Sequence, residues 1–461
     1  MALTIFNNLI NRIKRRKTQA SFTHKIKNQQ QKARTNSVIK GNYSNNKIFK
    51  FLPSINFNFR LIIIILLILS TAVCSVHFYR IADAWIKFQP EKFEQEGMVS
   101  SYKWNGKDKL TILIVGTDQV TEDHVFIDAL GIYSIDPINN AIAVFMINPD
   151  LKVYMSAIGK DINFRTMLHD KNIEGDKINI LKNAVSTLLA VKVDKYVVIE
   201  KSAAIKLLTE LNPIKVSIAA TVNDKDITRL TGGQEISWEA GSDKLIWGSE
   251  LIPFMASDNN GRDDQLLRQQ NVIVALPYYQ NSVRTFVKLP EIINLFAESI
   301  FTDLEKQEIL TISQALLNTK EKEIKKGYTR QSSYNKTKSI SFYDVFTPDL
   351  TQIDKDINNI FFDMQIFKEQ AKIEILNSSQ IRGLANNRAR WIVNTGGRVV
   401  KVGNGFSAAE ITKIYCAEPE KYPYTILELS RIFNNKAEFV NSKFPNRHVG
   451  DIVVELGDLY E

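Results

Sequence analysis

The residues of this chain that could do chemistry are carboxylates and an arginine rather than thiols or imidazoles. Its two cysteines are Cys74, inside a long apolar run, and Cys416, near the C-terminus, and its five histidines form no Cys/His cluster with zinc-ligand spacing. The apolar stretch 110–115 ends at Gly-Thr-Asp, which is typical of a buried strand that delivers a polar residue at its end. That residue, Asp118, could take part in a site or simply cap a turn.

A second polar group lies on a predicted helix at 263–276. Aspartates stand at the positive end of this helix, and apolar residues recur at helical spacing behind them. Arg268 follows Asp264 by four residues, so the two could pair on one face of the helix, a contact worth about 0.2–0.5 kcal/mol when solvated. The arginine therefore has a structural interpretation as well as a functional one.

Strands and helices that would position these residues can be predicted from apolar spacing. Residues 110–115, 128–134 and 141–147 predict three strands, and a short turn between the last two implies an antiparallel pair beside the first. Helical spacing at 178–191 and 202–211 brackets a strand at 196–199. These elements predict an α/β sandwich with a mixed sheet and helices on its faces.

The C-terminal part of the chain predicts a second, smaller unit. Residues 318–339 are polar, with little sign of regular structure, and residues 340–370 read as a connector. Beyond them the predicted elements are a strand at 371–376, a helix at 381–393, strands at 398–402 and 410–415, a helix at 424–433 and a strand at 451–456. This order predicts a small open α/β sheet with its helices on one side.

The apolar run 61–79 carries no full charge and would span roughly 28 Å as a helix, close to the thickness of a bilayer core. The sixty residues before it hold thirteen Lys and Arg and no Asp or Glu. The positive-inside rule therefore predicts a cytoplasmic N-terminus and an extracytoplasmic remainder. A buried core helix does not explain the one-sided basic flank, and a cleaved signal peptide does not explain its length. We interpret the run as an uncleaved signal anchor.

The net charge of +9 comes from this tail, because the tail carries thirteen positive charges and the remainder therefore sums to −4. That balance argues against a nucleic-acid-binding exterior domain. The basic tail fits topology and attraction to anionic lipid, and its Asn-, Gln-, Lys- and Ser-rich composition at 18–50 predicts disorder. The cytoplasmic membrane is thus the first expected partner, and the oligomeric state stays open.

Several motifs resemble the LytR-CpsA-Psr family in their order and approximate spacing. They are ILIVGTD at 112–118, IDALGIYSIDP at 127–137, INP at 147–149, DKIN at 176–179, VDKYVVIE at 193–200 and LLRQQNVI at 266–273, with 289–310 similar to the region that follows. Residues 371–460, with EILNSSQIRGLANNRA, VVKVGNG and DIVVELGDLY, resemble the LytR C-terminal domain. The implied organisation is a tail at 1–59, an anchor at 60–80, a stem at 81–107, the family domain at 108–345, a linker at 346–368 and the C-terminal domain at 369–461.

The resemblance implies a function at the outer face of a bacterial membrane. Members of this family move glycopolymers, such as teichoic acids or capsule, from a polyprenyl pyrophosphate carrier onto the cell wall. A pyrophosphate leaving group calls for Mg²⁺ held by carboxylates and for bidentate arginines. By this resemblance Asp118 and Asp128 would hold the metal, Arg268 and Gln269 would be catalytic, and Lys177 would contact the substrate.

The sequence departs from the family pattern at its arginines. Phe126 stands where the Arg-Ser-Asp motif has its arginine, and Asp150 replaces the arginine of Ile-Pro-Arg-Asp. Residues 254–258 lack both arginines of the Tyr-Val-Arg-x-Arg segment. In the Gly-Arg-x-x-Arg-Gln-Gln motif the first arginine corresponds to Gln265, or to Arg262 if an insertion is allowed.

Three hypotheses follow. The first is a membrane-anchored envelope protein that binds polyprenyl-linked glycopolymer or peptidoglycan through a degenerate site, because Asp150 and Asp258 would oppose a pyrophosphate by about 4 kcal/mol each at ~4 Å before screening. The second is an active Mg²⁺-dependent phosphotransferase that works through Asp118, Asp128 and Arg268, with cations recruited from elsewhere. The third is an envelope scaffold without a glycan ligand.

The topology can be tested with a protease added outside intact spheroplasts. The region beyond residue 80 should be digested and the basic tail should be spared, because the positive flank is retained in the cytoplasm. Immunoblots against tags at both ends measure the outcome. Digestion of the tail with protection of the rest would mean an inverted orientation and would remove the basis for an envelope function.

Overall fold

The computed structural model describes residues 59–93, 103–118, 125–155, 158–224, 236–280, 282–340, 343–357, 359–433 and 436–458. The predicted basic tail lies outside these residues up to position 58, as does part of the predicted stem. One long helix, α1 (Phe59–Lys87), contains the apolar run and continues beyond it into the stem. By length and composition its residues 63–87 could cross a membrane.

The strands of the described chain share no single sheet but fall into two larger and four two-stranded sheets. In chain order they are β1 (Leu110–Thr117), β2 (Ile127–Asp136), β3 (Ala141–Ile147), β4 (Lys152–Met155), β5 (Lys160–Asn163), β6 (Lys195–Glu200), β7 (Ile214–Ile218), β8 (Val222–Asp224), β9 (Ile236–Trp238), β10 (Gly241–Ile246), β11 (Ile300–Thr302), β12 (Lys325–Tyr328), β13 (Tyr334–Ile340), β14 (Tyr343–Pro348), β15 (Lys372–Asn377), β16 (Arg398–Asn404), β17 (Lys413–Cys416), β18 (Glu438–Val440) and β19 (Ile452–Leu456).

The helices after α1 lie between and around these strands. They are α2 (Lys177–Leu189), α3 (Lys201–Glu210), α4 (Gly248–Ala256), α5 (Arg262–Ala275), α6 (Val283–Ser299), α7 (Lys306–Asn318), α8 (Leu350–Asp356), α9 (Met364–Glu369), α10 (Leu384–Asn394) and α11 (Pro423–Ile432).

A six-stranded mixed sheet in the order β11-β6-β1-β2-β3-β12 forms the first α/β unit. β1, β2 and β3 are antiparallel neighbours as the short turn predicted, while β6 runs parallel to β1 and β12 parallel to β3. The predicted α/β class with a mixed sheet is confirmed. Because β1 and β2 run antiparallel, with Thr117 paired to Ile127, the C-terminal end of β1 lies beside the N-terminal end of β2, where Asp128 stands.

Both faces of this sheet are covered, which explains the continuous apolar character of β1. Leu113 and Val115 pack in a core that includes the buried side of α2, whereas Ile112 packs with Leu266 and Val274 of α5 on the opposite face. Alternate residues of a strand point to opposite faces, so one strand serves two cores. α5 is thereby fixed across the sheet with its N-terminus near the ends of β1 and β3.

The region after α7 is more regular than the sequence suggested. Residues predicted as irregular supply β12 and the β13–β14 hairpin, and the expected linker at 346–368 contains α8 and most of α9. Ile353, Ile357, Ile360 and Phe361 are buried in the same core as α2. The sequence did not predict these elements, because the region is rich in Lys and Ser and its buried apolar residues are few and widely spaced.

The C-terminal residues form a five-stranded sheet in the order β16-β15-β19-β17-β18. Trp391 of α10 and Leu429 of α11 pack with Ile373 and Val454 of the sheet in one core. The predicted order of elements matches this arrangement, with β18 as the strand that the sequence did not predict. Helices cover one face of the sheet through this core.

α10 caps the C-terminal end of α2, which belongs to the first unit. Arg390 Nη1 donates to the carbonyl of Thr187 at 2.9 Å, and Asn394 Nδ2 donates to the carbonyl of Leu189 at 3.2 Å. Arg390 Nε also donates to Asp354 of α8 at 2.7 Å. The last carbonyls of a helix lack partners within the helix, so these contacts tie the C-terminal sheet to α2.

A buried ion pair makes a second connection between the two units. Arg431 of α11 donates through Nη1 to Asp194 Oδ2 at 2.9 Å, with 5% of the arginine side chain and none of the aspartate side chain exposed. The same Asp194 oxygen accepts the amide of Thr111 at 2.9 Å, at the start of β1. Lys192 Nζ lies 3.4 Å from the other oxygen, Oδ1, so the aspartate is balanced by one cation from its own unit and one from the C-terminal unit.

Arg431→Ala should destabilise the protein by about 3–5 kcal/mol, because it removes the arginine that pairs with two buried carboxylates, Asp194 and Glu428, and leaves Asp194 with Lys192 alone. The measurement is the thermal unfolding midpoint of the detergent-solubilised full chain, followed by circular dichroism. Lys421→Ala is the matched control: Lys421 pairs with Glu418 at 2.8 Å, but each side chain is 56% exposed. The control should melt close to the wild type, and an equal shift in both variants would contradict the coupling of the two units.

Candidate functional site

The predicted carboxylates lie at one edge of the central sheet. Asp118 directly follows β1, and Asp128 is the second residue of β2, whose Ile127 is paired with Thr117. Asp118 closes the intervening loop, since its Oδ1 accepts the amide of Phe126 at 2.8 Å and its own amide donates to the Phe126 carbonyl at 3.1 Å. The capping role that the sequence allowed for Asp118 is thus present.

Asp128 is held by two cations. Lys201 Nζ lies 2.7 Å from Oδ2 of this carboxylate, and Arg165 Nη1 lies 3.3 Å from Oδ1. Lys201 is the first residue of α3, directly after β6, and Arg165 follows β5 by two residues. Asp128 is 37% exposed, so this part of the cluster faces solvent.

Asp150, which stands where the family has an arginine, is also held by two cations. Arg165 Nε donates to its Oδ1, and Arg262 Nη2 lies 2.8 Å from its Oδ2. Only 6% of the Asp150 side chain is exposed, and its amide donates to Asn148 Oδ1 at 3.0 Å in the turn after β3. Arg165 therefore bridges the two aspartates.

The five side chains form what we call the charge cluster: Asp128, Asp150, Arg165, Lys201 and Arg262. Three cations against two carboxylates leave a formal surplus of one positive charge. Tyr334, buried beside the cluster, has its pKa raised by burial to about 12, so its hydroxyl keeps its proton at neutral pH. The surplus positive charge of this site can attract an anion. Both of its carboxylates are paired with cations, so neither is free to bind a metal ion.

Two of the cations occupy an unusual position. Lys201 and Arg262 are each the first residue of a helix, where the helix dipole disfavours positive charge. The turn before Arg262 is made by Gly261 at φ 84°, a backbone conformation that disfavours side chains. Both cations are retained at these positions by their ion pairs with Asp128 and Asp150.

Arg268, expected to be catalytic, lies in a different environment. It is 1% exposed, its Nε donates to the carbonyl of Phe254 at 2.9 Å, and its other nitrogens donate to the carbonyl of Ser257 and to Asp264. Burial lowers its pKa to about 10, and the charges of Asp224 and Asp258 act in the opposite direction. Its contacts join α5 to the end of α4, and its pair with Asp264 is buried rather than solvated. The structural interpretation of Arg268 thus has contacts behind it, and its catalytic role stays a prediction.

The other predicted contact residues also have local partners. Gln269 is 4% exposed and donates through Nε2 to the carbonyl of Met255 at 3.4 Å, while its Oε1 has no hydrogen-bond partner among the described residues. Lys177 Nζ donates to the carbonyl of Leu168 at 3.0 Å. These hydrogen bonds join Gln269 to α4 and Lys177 to the turn at 167–169 that precedes α2.

Two positions that lack the family arginine are filled differently. The ring of Phe126 packs edge-on against His169, with centroids 4.7 Å apart, so that position carries an apolar contact. Asp258 is exposed after α4. The repulsion expected from Asp150 is absent, because Arg165 and Arg262 neutralise this carboxylate.

The fit of the site to Mg²⁺ is poor as the side chains stand. Within the described ranges no group of three or more His, Cys, Asp or Glu side chains could hold a metal ion. Magnesium often takes only one or two protein carboxylates beside substrate phosphates. However, both oxygens of Asp128 are occupied by cations, and Asp118 is occupied in its loop contact.

Arg165 and Lys201 were missed by motif comparison, and Arg262 was considered only as an alternative to Gln265. For Lys201 and Arg262 the sequence does hold a sign, namely a cation directly before a predicted helix, at 202–211 and at 263–276, which calls for an anion nearby. Arg165 carries no such sign, because it lies in a short connection after a hairpin. Its role depends on the fold alone.

Comparisons with known proteins agree with the motif resemblance. The family model LytR_cpsA_psr matches residues 79–359, well over half of the chain. Regulatory protein MsrR of Staphylococcus aureus strain Mu50 is 24% identical over 234 residues, which cover 49% of this chain and 67% of MsrR. The residues 369–461 lie outside the family match, so their likeness to a LytR C-terminal domain stays a prediction.

Solved structures with a similar fold include B. subtilis TagV, which is 20% identical, covers 54% of this chain and 94% of TagV, and has a TM-score of 0.44. TagT bound to LIIa-WTA is 16% identical, covers 58% of this chain and 96% of TagT, and has a TM-score of 0.43. The family model and the motif order identify the chain independently of these structures. The protein belongs to the LytR-CpsA-Psr family.

Proposed function

We propose that this protein is a single-pass cell-envelope protein that binds the pyrophosphate of a polyprenyl-linked glycopolymer at its charge cluster and turns it over slowly at most. The observation that carries the proposal is the gathering of Arg165, Lys201 and Arg262 at one edge of the central sheet. Family membership supports glycopolymer as the ligand class. Residues 369–461 would act as an accessory unit attached through α2.

Binding is favoured because the cations are pre-positioned. Arg165 and Arg262 are largely buried, with 14% and 28% of their side chains exposed, so little side-chain entropy is left to lose on binding. Arginine is well suited to phosphate oxygens because its planar guanidinium can donate two parallel hydrogen bonds. Lys201 is similarly placed, with 25% of its side chain exposed, and it pairs with Asp128, the more exposed of the two carboxylates.

Slow turnover follows from the same geometry. Each cation is already paired with Asp128 or Asp150, so a pyrophosphate must compete with carboxylates of the protein. Catalysis requires interactions that strengthen as charge develops on the leaving group. Cations shared with fixed carboxylates supply less of that strengthening than free cations would.

The second candidate is an active Mg²⁺-dependent phosphotransferase. The presence of three cations near the expected site supports it, because they are the cations that the motif comparison failed to find. In that case Asp118 and Asp128 would hold the metal, and Lys201 and Arg165 would have to turn from Asp128 toward the phosphates. The two candidates differ in what Asp128 does, which makes this residue the decisive position.

Lys201→Ala should weaken binding of farnesyl pyrophosphate by about ten-fold or more, since a hydrogen bond to a charged group contributes roughly 1.5–3 kcal/mol. Binding is measured by calorimetry on the detergent-solubilised full chain, with farnesol as the ligand that lacks phosphates. Lys206→Ala is the matched control, because Lys206 is an exposed lysine on the same helix. It should leave the affinity unchanged.

Equal affinities of the wild type for farnesyl pyrophosphate and farnesol would contradict the proposal and favour the scaffold hypothesis. An equal loss in the Lys201 and Lys206 variants would mean that binding responds only to the overall charge of α3.

Asp128→Asn should raise the affinity for farnesyl pyrophosphate several-fold, because it removes the anion that competes for Lys201 and Arg165. The same substitution should change Mg²⁺-dependent release of the lipid product only modestly. Asp161→Asn is the control, since Asp161 pairs with Lys152 at 2.8 Å in the β4–β5 hairpin, in a pair that does not include the charge cluster. Robust Mg²⁺-dependent turnover that falls by orders of magnitude in Asp128→Asn would instead establish the second candidate.

A further inference from the structure

The first turns of α6 lie against the end of the apolar run in α1. His77 Nε2 is 2.7 Å from the carbonyl oxygen of Phe286, and the rings of Phe78 and Phe286 meet edge-on with centroids 5.9 Å apart. One turn further along α1, Arg80 pairs with Glu291 of α6 at 2.6 Å. α6 is therefore fixed to α1 where the apolar run gives way to charged residues.

The start of α6 exposes an apolar face at this place. Val283 is 81% exposed, Phe286 37% and Val287 55%. These residues are spaced i, i+3 and i+4, so they project from one side of the helix. Arg284, which is exposed, and Lys288, which pairs with Glu210, lie four residues apart on the adjacent side of the helix.

An apolar stripe with flanking basic residues is typical of a helix that lies in a membrane interface. We propose that the first two turns of α6 are seated in the headgroup region of the membrane that α1 crosses, with Val283, Phe286 and Val287 toward the acyl chains. The occupant is lipid rather than a protein partner, because the contacts with His77, Phe78 and Arg80 hold this face at the end of the apolar run 61–79. Tyr79, 71% exposed on α1, supplies an interfacial aromatic at the same level.

The seating of α6 in the membrane interface would also set the distance between the charge cluster and the membrane. Asn212, just after α3, donates through Nδ2 to Ser282 Oγ at 2.8 Å, and Lys288 pairs with Glu210 at the end of α3. α3 has ten residues and is thus about 15 Å long, and its first residue is Lys201. A membrane-seated α6 would hold Lys201 within roughly that distance of the headgroups, where a membrane-borne pyrophosphate can reach it.

The proposal rests on α1 being the membrane anchor of the proposed function, and the test separates the two. Nitroxide labels are placed one at a time on the full chain reconstituted in phosphatidylethanolamine–phosphatidylglycerol vesicles, in a Cys416→Ala background. Native Cys74 reports on the span, and Val287→Cys, made with Cys74→Ser, reports on α6. Val393→Cys, also made with Cys74→Ser, is the control, because Val393 is a helical valine of nearly equal exposure, 53% against 55% for Val287.

The label at position 287 should be several-fold more accessible to oxygen than to a water-soluble nickel chelate, as at position 74, whereas the label at 393 should show the opposite preference. Val283→Cys gives a second reporter on α6 if the 287 variant fails to fold. Nickel accessibility at 287 equal to that at 393, with position 74 in lipid, would overturn the seating of α6 while the anchor stands. A label at 287 that is immobilised but shielded from both reagents would mean a protein partner and would overturn it too. Nickel accessibility at position 74 would remove the anchor itself.

Discussion

The burial of the Asp150 carboxylate is the constraint on which the candidate site depends. With 6% of its side chain exposed, this anion has lost nearly all of its hydration, and an unpaired charge in such a place would be strongly destabilising. Arg165 and Arg262 compensate it from two other segments, one after β5 and one at the start of α5. The end of β3, the β4–β5 hairpin and α5 are thus held together by one carboxylate.

Arg165 also pairs with Asp128, and Asp128 pairs with Lys201, so the position of all three side chains depends on the buried Asp150. The resulting cluster is nearly balanced in charge, which distinguishes it from a site of free arginines. A balanced cluster stabilises the folded protein in the absence of ligand, but it makes a pyrophosphate compete with internal carboxylates. This competition is the physical reason to expect binding with little turnover.

A similar dependence joins the C-terminal sheet to the rest of the chain. Asp194 is fully buried and pairs with Arg431 of α11 as well as with Lys192 of its own unit, while the carbonyls at the end of α2 take their donors from α10. The first unit therefore contains polar groups that only the second unit satisfies. Neither unit has a complete set of partners alone, although each has its own apolar core.

The sequence by itself determined the elements whose apolar spacing is long and regular. The strand at 141–147 and the bounds of the central strands and helices agree with the structure to within about two or three residues, because burial on both faces leaves an unmistakable apolar run. Motif order also identified the family, and the apolar spacing placed Asp118 after the first strand and Asp128 at the start of the second, where the structure has them.

Tertiary structure alone decided which cations meet those carboxylates. Arg268 was the arginine that the motif favoured, yet its donors are consumed by the carbonyls of Phe254 and Ser257, which lie close only because α4 folds back on α5. Arg165 lies in a short connection without periodicity, and its partners are 15 and 37 residues away in the chain. Long-range ion pairs leave no local pattern, since their energy depends on distances that only the folded chain sets.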